Sequence, residues 1–446
     1  MSDQSSVLAH DLVQAALKAG ADAAEAAVAE RQSLSVGVRL GELEEVEREE
    51  SRDLGLRVLI GKRQASVSAS DLSDATRARL VERAVAMAKL APEDPYCGLA
   101  PDELLANGHR PDLDLFDPTE PSAAQLEERA RAAEEAARAV EGVTNSEGGS
   151  ASWSAGRWRL VTSAGFEGEH HGTASSLSAS VIAGEGSGME RGGEGRTARW
   201  IADLPTPEAV GADAGRRAVR RLGAKKISSQ TATIIVENRI AASMLSAFVG
   251  AISGAAVARG VSFLKDELGK PVFGAGVTIT DDPFRPRGLA SSPFDDEGVR
   301  VERRAIVDKG VLTTWLMNSS AARQLGLTST GHASRGLAGP PGVSAHNLHV
   351  EPGEKDLGGL MADAGKGLLV TAMFGPSLNA NTGDWSAGVS GYWFEGGELA
   401  YPVTEITIAG NLPEIYARLV PGSDLEFRGS INAPSLMAEG VAIAGL

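Results

Sequence analysis

The sequence predicts an α+β protein in two parts, a helix-and-meander unit over residues 1–225 and a β-rich unit over residues 226–446. Three observations carry this. Capped stretches with apolar residues at helical spacing alternate with short runs in which apolar and polar residues take turns. Glycine is abundant at 53 residues, and much of it falls between those runs, which suits hairpins better than a helical bundle. After Lys225-Lys226 the helical signals thin out and strand signals follow one another.

Residues 7–19 have helical apolar spacing and stop at Gly20. Alternating stretches follow at 23–30, 33–40, 43–50, 53–60 and 63–69, with turn-like Gly41-Glu42 and Gly61-Lys62 between two of the pairs. They read as an antiparallel meander with one polar face. Ser73-Asp74 opens a helix to about Leu90. The Pro- and Asp-rich stretch 92–121 is a connection, and Ser122 opens a third helix to Val140 laced with opposite charges at helical spacing. Strands at 149–161, 165–173 and 177–185 lead into a Gly-rich loop, 184–195, and a fourth helix, 207–222, capped by Thr206 with Pro207 in its first turn. Helix, meander and helix thus occur twice in succession, which suggests a loose internal duplication without a residue-level repeat. The second unit begins with a buried-type strand at 231–236 and a helix at 239–256. Strands are expected at 272–280, 299–308, 311–316, 367–373, 391–395, 398–403, 405–409 and 438–444.

Composition excludes several classes of function. The formal charge of −16, with no long Lys/Arg run, argues against nucleic acid or an anionic membrane as partner. No apolar run approaches membrane-spanning length, and the first six residues have neither the basic nor the apolar region of a signal peptide. The single Cys97 allows no internal disulfide and fits a reducing compartment, so the cytoplasm is the expected location. Cys97 is a poor candidate nucleophile, because the nearest histidine, His109, comes with no sign of a positioned base.

Few residues suggest chemistry of their own. His346-Asn-Leu-His349 lies on a loop-to-strand segment with no Glu placed as a base, and His170-His171 fall on a strand where adjacent side chains point apart. There is no Gly-x-Ser-x-Gly elbow, no P-loop around Gly61-Lys62 and no dinucleotide fingerprint in 184–195. His332, Ser334 and Arg335, in a loop after Gly331, are candidates for contact with a peptide chain. Exposed strand edges in the second unit offer a further mode, in which an extended peptide adds as a strand.

The second unit carries Asp281-Asp-Pro283 with Arg287-Gly288, Phe294-Asp-Asp-Glu-Gly298, Lys309-Gly-Val-Leu312, Leu316-Met-Asn-Ser319 and Gly326-Leu-Thr-Ser-Thr-Gly-His332. It ends with Gly391-Tyr-Trp-Phe-Glu-Gly-Gly-Glu-Leu-Ala-Tyr-Pro-Val403 and Glu405-Ile-Thr-Ile-Ala-Gly-Asn411. With Ala19-Gly-Ala-Asp-Ala-Ala-Glu25 and Gly55-Leu-Arg-Val58, these come in the order and spacing of the TldD/PmbA proteins, and the chain resembles their PmbA (TldE) branch over nearly its whole length. The resemblance implies a cytoplasmic peptidase system acting on unfolded or modified peptides. Its TldD-type members use a helical His-Glu-x-x-x-His segment and a late cysteine for zinc. Here those positions read Ser246, Ala247, Ala251 and Ala433. The resemblance therefore implies a chain with no metal of its own, paired with a zinc-bearing TldD-like subunit that would supply zinc, water and base. A stand-alone homodimer that binds peptides, or a self-sufficient peptidase of another mechanism, are the alternatives.

Overall fold

The computed structural model describes residues 2–108 and 111–446. Its first half runs α1 (Ser2–Lys18), β1 (Ala23–Arg39), β2 (Glu42–Ile60), β3 (Arg63–Ala69) and α2 (Asp74–Leu90), then α3 (Ala123–Arg138), β4 (Val143–Thr162), β5 (Glu167–Ala183), β6 (Glu190–Ala198) and α4 (Pro207–Arg220). The helix starts follow from local chemistry. Ser73 and Thr206 accept backbone N–H groups of their first turns, and Ser122 forms a reciprocal capping box with Gln125.

The two meanders form one antiparallel sheet of order β3-β2-β1-β4-β5-β6. They join where β1 lies against β4, with Glu25 opposite Thr162 and Val38 opposite Gly149. Each three-stranded half is thus followed outward from a shared centre, the arrangement expected of a duplicated unit.

All four helices cover one face of this sheet. Ala24, Ala26, Val28, Leu54, Leu56 and Val58 pack under α1 and α2 at one end. Leu34, Val36, Val38, Leu177, Ala179 and Val181 pack under α3 and α4 at the other. The opposite face, which carries Glu25, Ala27 and Leu160, turns toward the second half of the chain, where Ala27 and Leu160 meet Phe294 and Val299.

Two expectations are corrected here. The stretches 23–30 and 33–40 are one strand, as are 43–50 and 53–60, and 165–173 and 177–185, because pairing runs on through polar residues such as Gln32, Glu50 and Ser175. The supposed loop 184–195 contains most of strand β6. Its glycines serve packing: a Cβ at Gly192 would collide with the α4 backbone at Ala218.

The second half opens with β7 (Gln230–Val236) and α5 (Asn238–Ala251). β7 pairs in parallel with Lys366–Leu378 and antiparallel with Leu436–Ala444. Asp384–Glu395 and Glu398–Asn411 continue the sheet, and Thr407–Ala409 pair back onto Ala442–Ala444, closing it into a barrel. Strands expected at 398–403 and 405–409 are one strand, and the helix expected to run to 256 stops at Ala251, with a short helix at Gly254–Ala258. Much of 272–280, 299–308 and 311–316 is irregular chain rather than strand. Ile279–Asp281, Arg304–Asp308 and Val311–Leu312 are the strands there, in a smaller sheet with Leu348–Val350 and Ile431–Asn432, and Val299 and Leu316 make isolated bridges. No helix among the described residues is long and apolar enough to cross a membrane.

Candidate functional site

Two places in the fold hold the main residues singled out by sequence, a third is a cleft that the sequence did not show, and the three differ in kind. The first is α5. Its inward face, Ala241, Met244, Leu245, Phe248 and Ala251, sits in the largest apolar cluster together with Ile234 and Val236 of β7. Phe248 meets Phe273 and Tyr416 edge-on, and the Tyr416 hydroxyl donates to the Met244 carbonyl at 2.9 Å. Of the motif positions, Ala251 and Ala433 belong to that cluster and Ala247 packs against it. Ser246 faces outward and spends its hydroxyl on the Ala242 carbonyl at 3.1 Å. Zinc needs imidazole, thiolate or carboxylate donors. These four residues offer three methyl groups and a hydroxyl already engaged within its helix. The position does not fit a metal.

The second place is the loop that carries His332. The ring is 1% exposed, not open for contact. Its Nε2 lies 3.0 Å from Asp281 Oδ2, and its Nδ1 lies 2.8 Å from the Thr330 hydroxyl. His346 reaches the same Asp281 oxygen through Nδ1 at 2.9 Å, and the His346 backbone N–H donates to Asp281 Oδ1 at 2.9 Å. Burial alone would raise the Asp281 pKa, but the bonds from His332 and His346 outweigh it and hold the carboxyl well below the usual carboxylate range. Burial pushes the His332 imidazole down. Two histidines and one aspartate are chemically competent metal ligands, and here they converge. Yet none of their buried polar atoms lacks a partner, so the three side chains hold one another as protein alone.

Ser334 pairs with Gly342 in a two-residue bridge. Arg335 is buried, and its guanidinium meets Glu25 of β1, whose Oε1 also takes Arg57 Nη1 at 2.9 Å. The Arg335 N–H donates to Asp296, Ala333 N–H to Asp295, and Glu297 accepts the Ser319 N–H. Burial raises all three acids above their ordinary values, most strongly Asp295, which the charge of Glu297 raises further. A Cβ at Gly55 would strike the Leu337 backbone, so the sheet and this loop lie in close contact. Arg335 is thus spent on joining the two halves of the chain, and His332 on a network within the second half.

The third place is a cleft of about 650 Å³ between the open sheet face and the second half. Its floor is Gly37, Ser150, Ser178, Ser180, Gly193 and Gly195, small residues that leave the sheet accessible. Arg239 and Arg428 wall it, and Glu44 and Glu147 lie at its side. Burial together with the neighbouring Arg239 lowers Arg217, behind the wall, to about 10. The outward residues of α5 (Ser243, Ser246 and Gly250) follow Arg239 at helical spacing, so this face of the helix leads away from the cleft. A floor without bulk and a wall of hydrogen-bond donors suit an extended chain. Sequence reasoning missed the cleft, because serine and glycine in alternate strand positions carry no chemical signal until the strands are side by side.

The remaining candidates do not converge. His349 pairs with Glu351 at 3.4 Å, away from His346's partner Asp281. His170 meets Phe294 and His171 meets Phe116, on opposite faces of β5 as expected. Cys97 is buried, and burial pushes its thiol up; His109 lies outside the described residues.

Comparison with known proteins gives these sites a context. Family models described as PmbA/TldA metallopeptidase domain 1, central domain and C-terminal domain match residues 24–88, 116–222 and 229–445. The metalloprotease PmbA of Escherichia coli O157:H7 is 42% identical over 426 residues, 95% of this chain and 92% of that one. A PmbA homolog from Haemophilus influenzae is 38% identical, covering 97% and 94%. A crystal structure from Bacteroides thetaiotaomicron, named "putative modulator of DNA gyrase", superposes with a TM-score of 0.92 at 30% identity, covering 100% and 99% of the two chains.

Proposed function

The chain belongs to the PmbA/TldD metallopeptidase family, and from that premise we propose that it is the non-catalytic, metal-free subunit of a cytoplasmic peptidase acting on unfolded or modified peptides. One observation carries the reading: where the resemblance places the zinc ligands, Ala251 and Ala433 are packed in an apolar core, Ala247 lies against it, and Ser246 bonds its own helix. In this reading the chain's work is positional. The Gly/Ser floor admits an extended backbone, Arg239 meets its carbonyls, and a TldD-like partner brings zinc, attacking water and the general base.

The test is reconstitution. The purified chain is mixed with a purified relative that carries His-Glu-x-x-x-His, and molar mass and hydrolysis of an unfolded peptide are followed together. A stable complex that cleaves, with no cleavage by this chain alone, is the expected result. Chelator-resistant cleavage by this chain alone would sink the reading, and a homodimer indifferent to the relative would favour a stand-alone peptide binder. The triple substitution Ser246→His, Ala247→Glu, Ala251→His should not restore hydrolysis, since Ala433 still supplies no thiolate.

A further inference from the structure

A second pocket, about 460 Å³, opens beside the cleft and shares Arg428 with it. Arg196, Arg199, Arg285, Arg287 and Arg428 line it against only Asp203 and Glu426, in a chain whose net charge is −16. Three of these arginines are neutralised. Arg196 and Arg428 share Glu194 and Glu426, and Arg287 is held by Asp114 and Asp203.

The other two are not. Arg199 donates to the carbonyls of Gly288, Thr173 and Leu289, and no carboxylate among the described residues lies within ion-pair distance of it. Arg285 rests on the Phe427 ring, 3.3 Å from its centroid, and makes no ion pair or side-chain hydrogen bond among the described residues. Asp282, the acid that acts on it through space, lies toward Arg303 at 3.6 Å. Asn347, on the pocket wall, is saturated by Asp282, Ser291 and Ala290. A partly desolvated guanidinium without an anion is costly, and its planar fork matches two oxygens of one anion.

We propose that this pocket is an oxyanion site, in which Arg285 receives a carboxylate or phosphate group and Arg199 supplies a fixed positive wall. The ring of Phe427 holds the Arg285 fork in place and lowers the entropy lost on binding. Two sources present this chemistry, the terminal carboxylate of a peptide and free phosphate. The site rests on the arginines themselves and not on the subunit reading.

Both sources are separable by titration of the full-length chain at low salt, followed by calorimetry, with inorganic phosphate, N-acetyl-trialanine and its C-terminal amide. Millimolar or tighter binding of the acid but not the amide supports a peptide carboxylate, and binding of phosphate alone supports a free-phosphate site. In either case Arg285→Met, which keeps the contact with Phe427, should weaken binding at least about tenfold. Arg285→Lys, which keeps charge but loses the fork, should weaken it less. A thermal melt matching the parent chain shows that the variants are folded. No binding of phosphate or acid, or binding unchanged in folded Arg285→Met, overturns the proposal.

Discussion

The outward and inward surroundings of α5 contrast with the loop around His332 in a way that explains the whole site. On α5, where the resemblance places the ligands of the zinc-bearing members, the chain has methyl groups in an apolar core. Around His332 it has two histidines and an aspartate, and it uses them to tie strand Ile279–Asp281 to the 330–346 loops. Ligand chemistry and ligand position have come apart. In the proposed reading, the metal-competent side chains around His332 serve the fold, while the positions on α5 that the resemblance matches to ligands carry none.

The comparison breaks first at Asp281. Asp281→Ala leaves two buried imidazoles and one N–H without their acceptor, and removing one partner of such a buried network costs about 3–5 kcal/mol. Urea unfolding should show a midpoint lowered accordingly. A loss under about 1 kcal/mol would mean the network is dispensable and the loop free for other work. Glu25→Gln should come next, at about 3 kcal/mol, because it takes from the buried guanidiniums of Arg57 and Arg335 the carboxylate they share. The same unfolding curves would check it, with limited proteolysis showing whether the contact between the sheet and the 335 loop has loosened.

His170 sharpens the contrast between buried polar groups that are paired and those that are merely enclosed. Burial lowers its pKa to about 4, with Arg199 and His171 adding to the effect. The folded value lies below the unfolded value near 6.5, so the unfolded chain binds the extra proton in that window. Its neutral form costs nothing above about 6.5, and its penalty grows as the pH falls toward 4, up to about 3 kcal/mol. His170→Gln should flatten the acid arm of the stability curve over that window relative to the parent chain. Parallel curves would refute the assignment. The smallest effect belongs to Ser246→Ala, which removes only a bond to its own helix and should change stability by less than about 0.5 kcal/mol. A large change would show that Ser246 has a partner beyond α5.

What was legible in the sequence follows the range of the interactions. Caps at Ser73, Ser122 and Thr206 act within one turn, so the helices of the first half could be read directly. The continuity of β1 and β2 could not, since the residues at mid-strand are polar and only their pairing across the sheet keeps them extended. β6 was hidden because its glycines answer to α4, a contact made after folding. In the second half, strands of two or three residues are too short to show a period. The empty motif on α5 was visible through resemblance alone. Asp281 with His332 and His346, or Glu25 with Arg335, are joined across 51, 65 and 310 residues, and no spacing rule reaches that far.

The central claim is that this chain has no metal of its own, and zinc content tests it most directly. The chain is purified gently without chelator, alone and apart from any relative, and zinc is counted per chain by mass spectrometry. The account predicts far less than one zinc per chain, with no change in His332→Ala. One zinc per chain, lost in His332→Ala or His346→Ala, would contradict it and make the Asp281 cluster a metal centre after all.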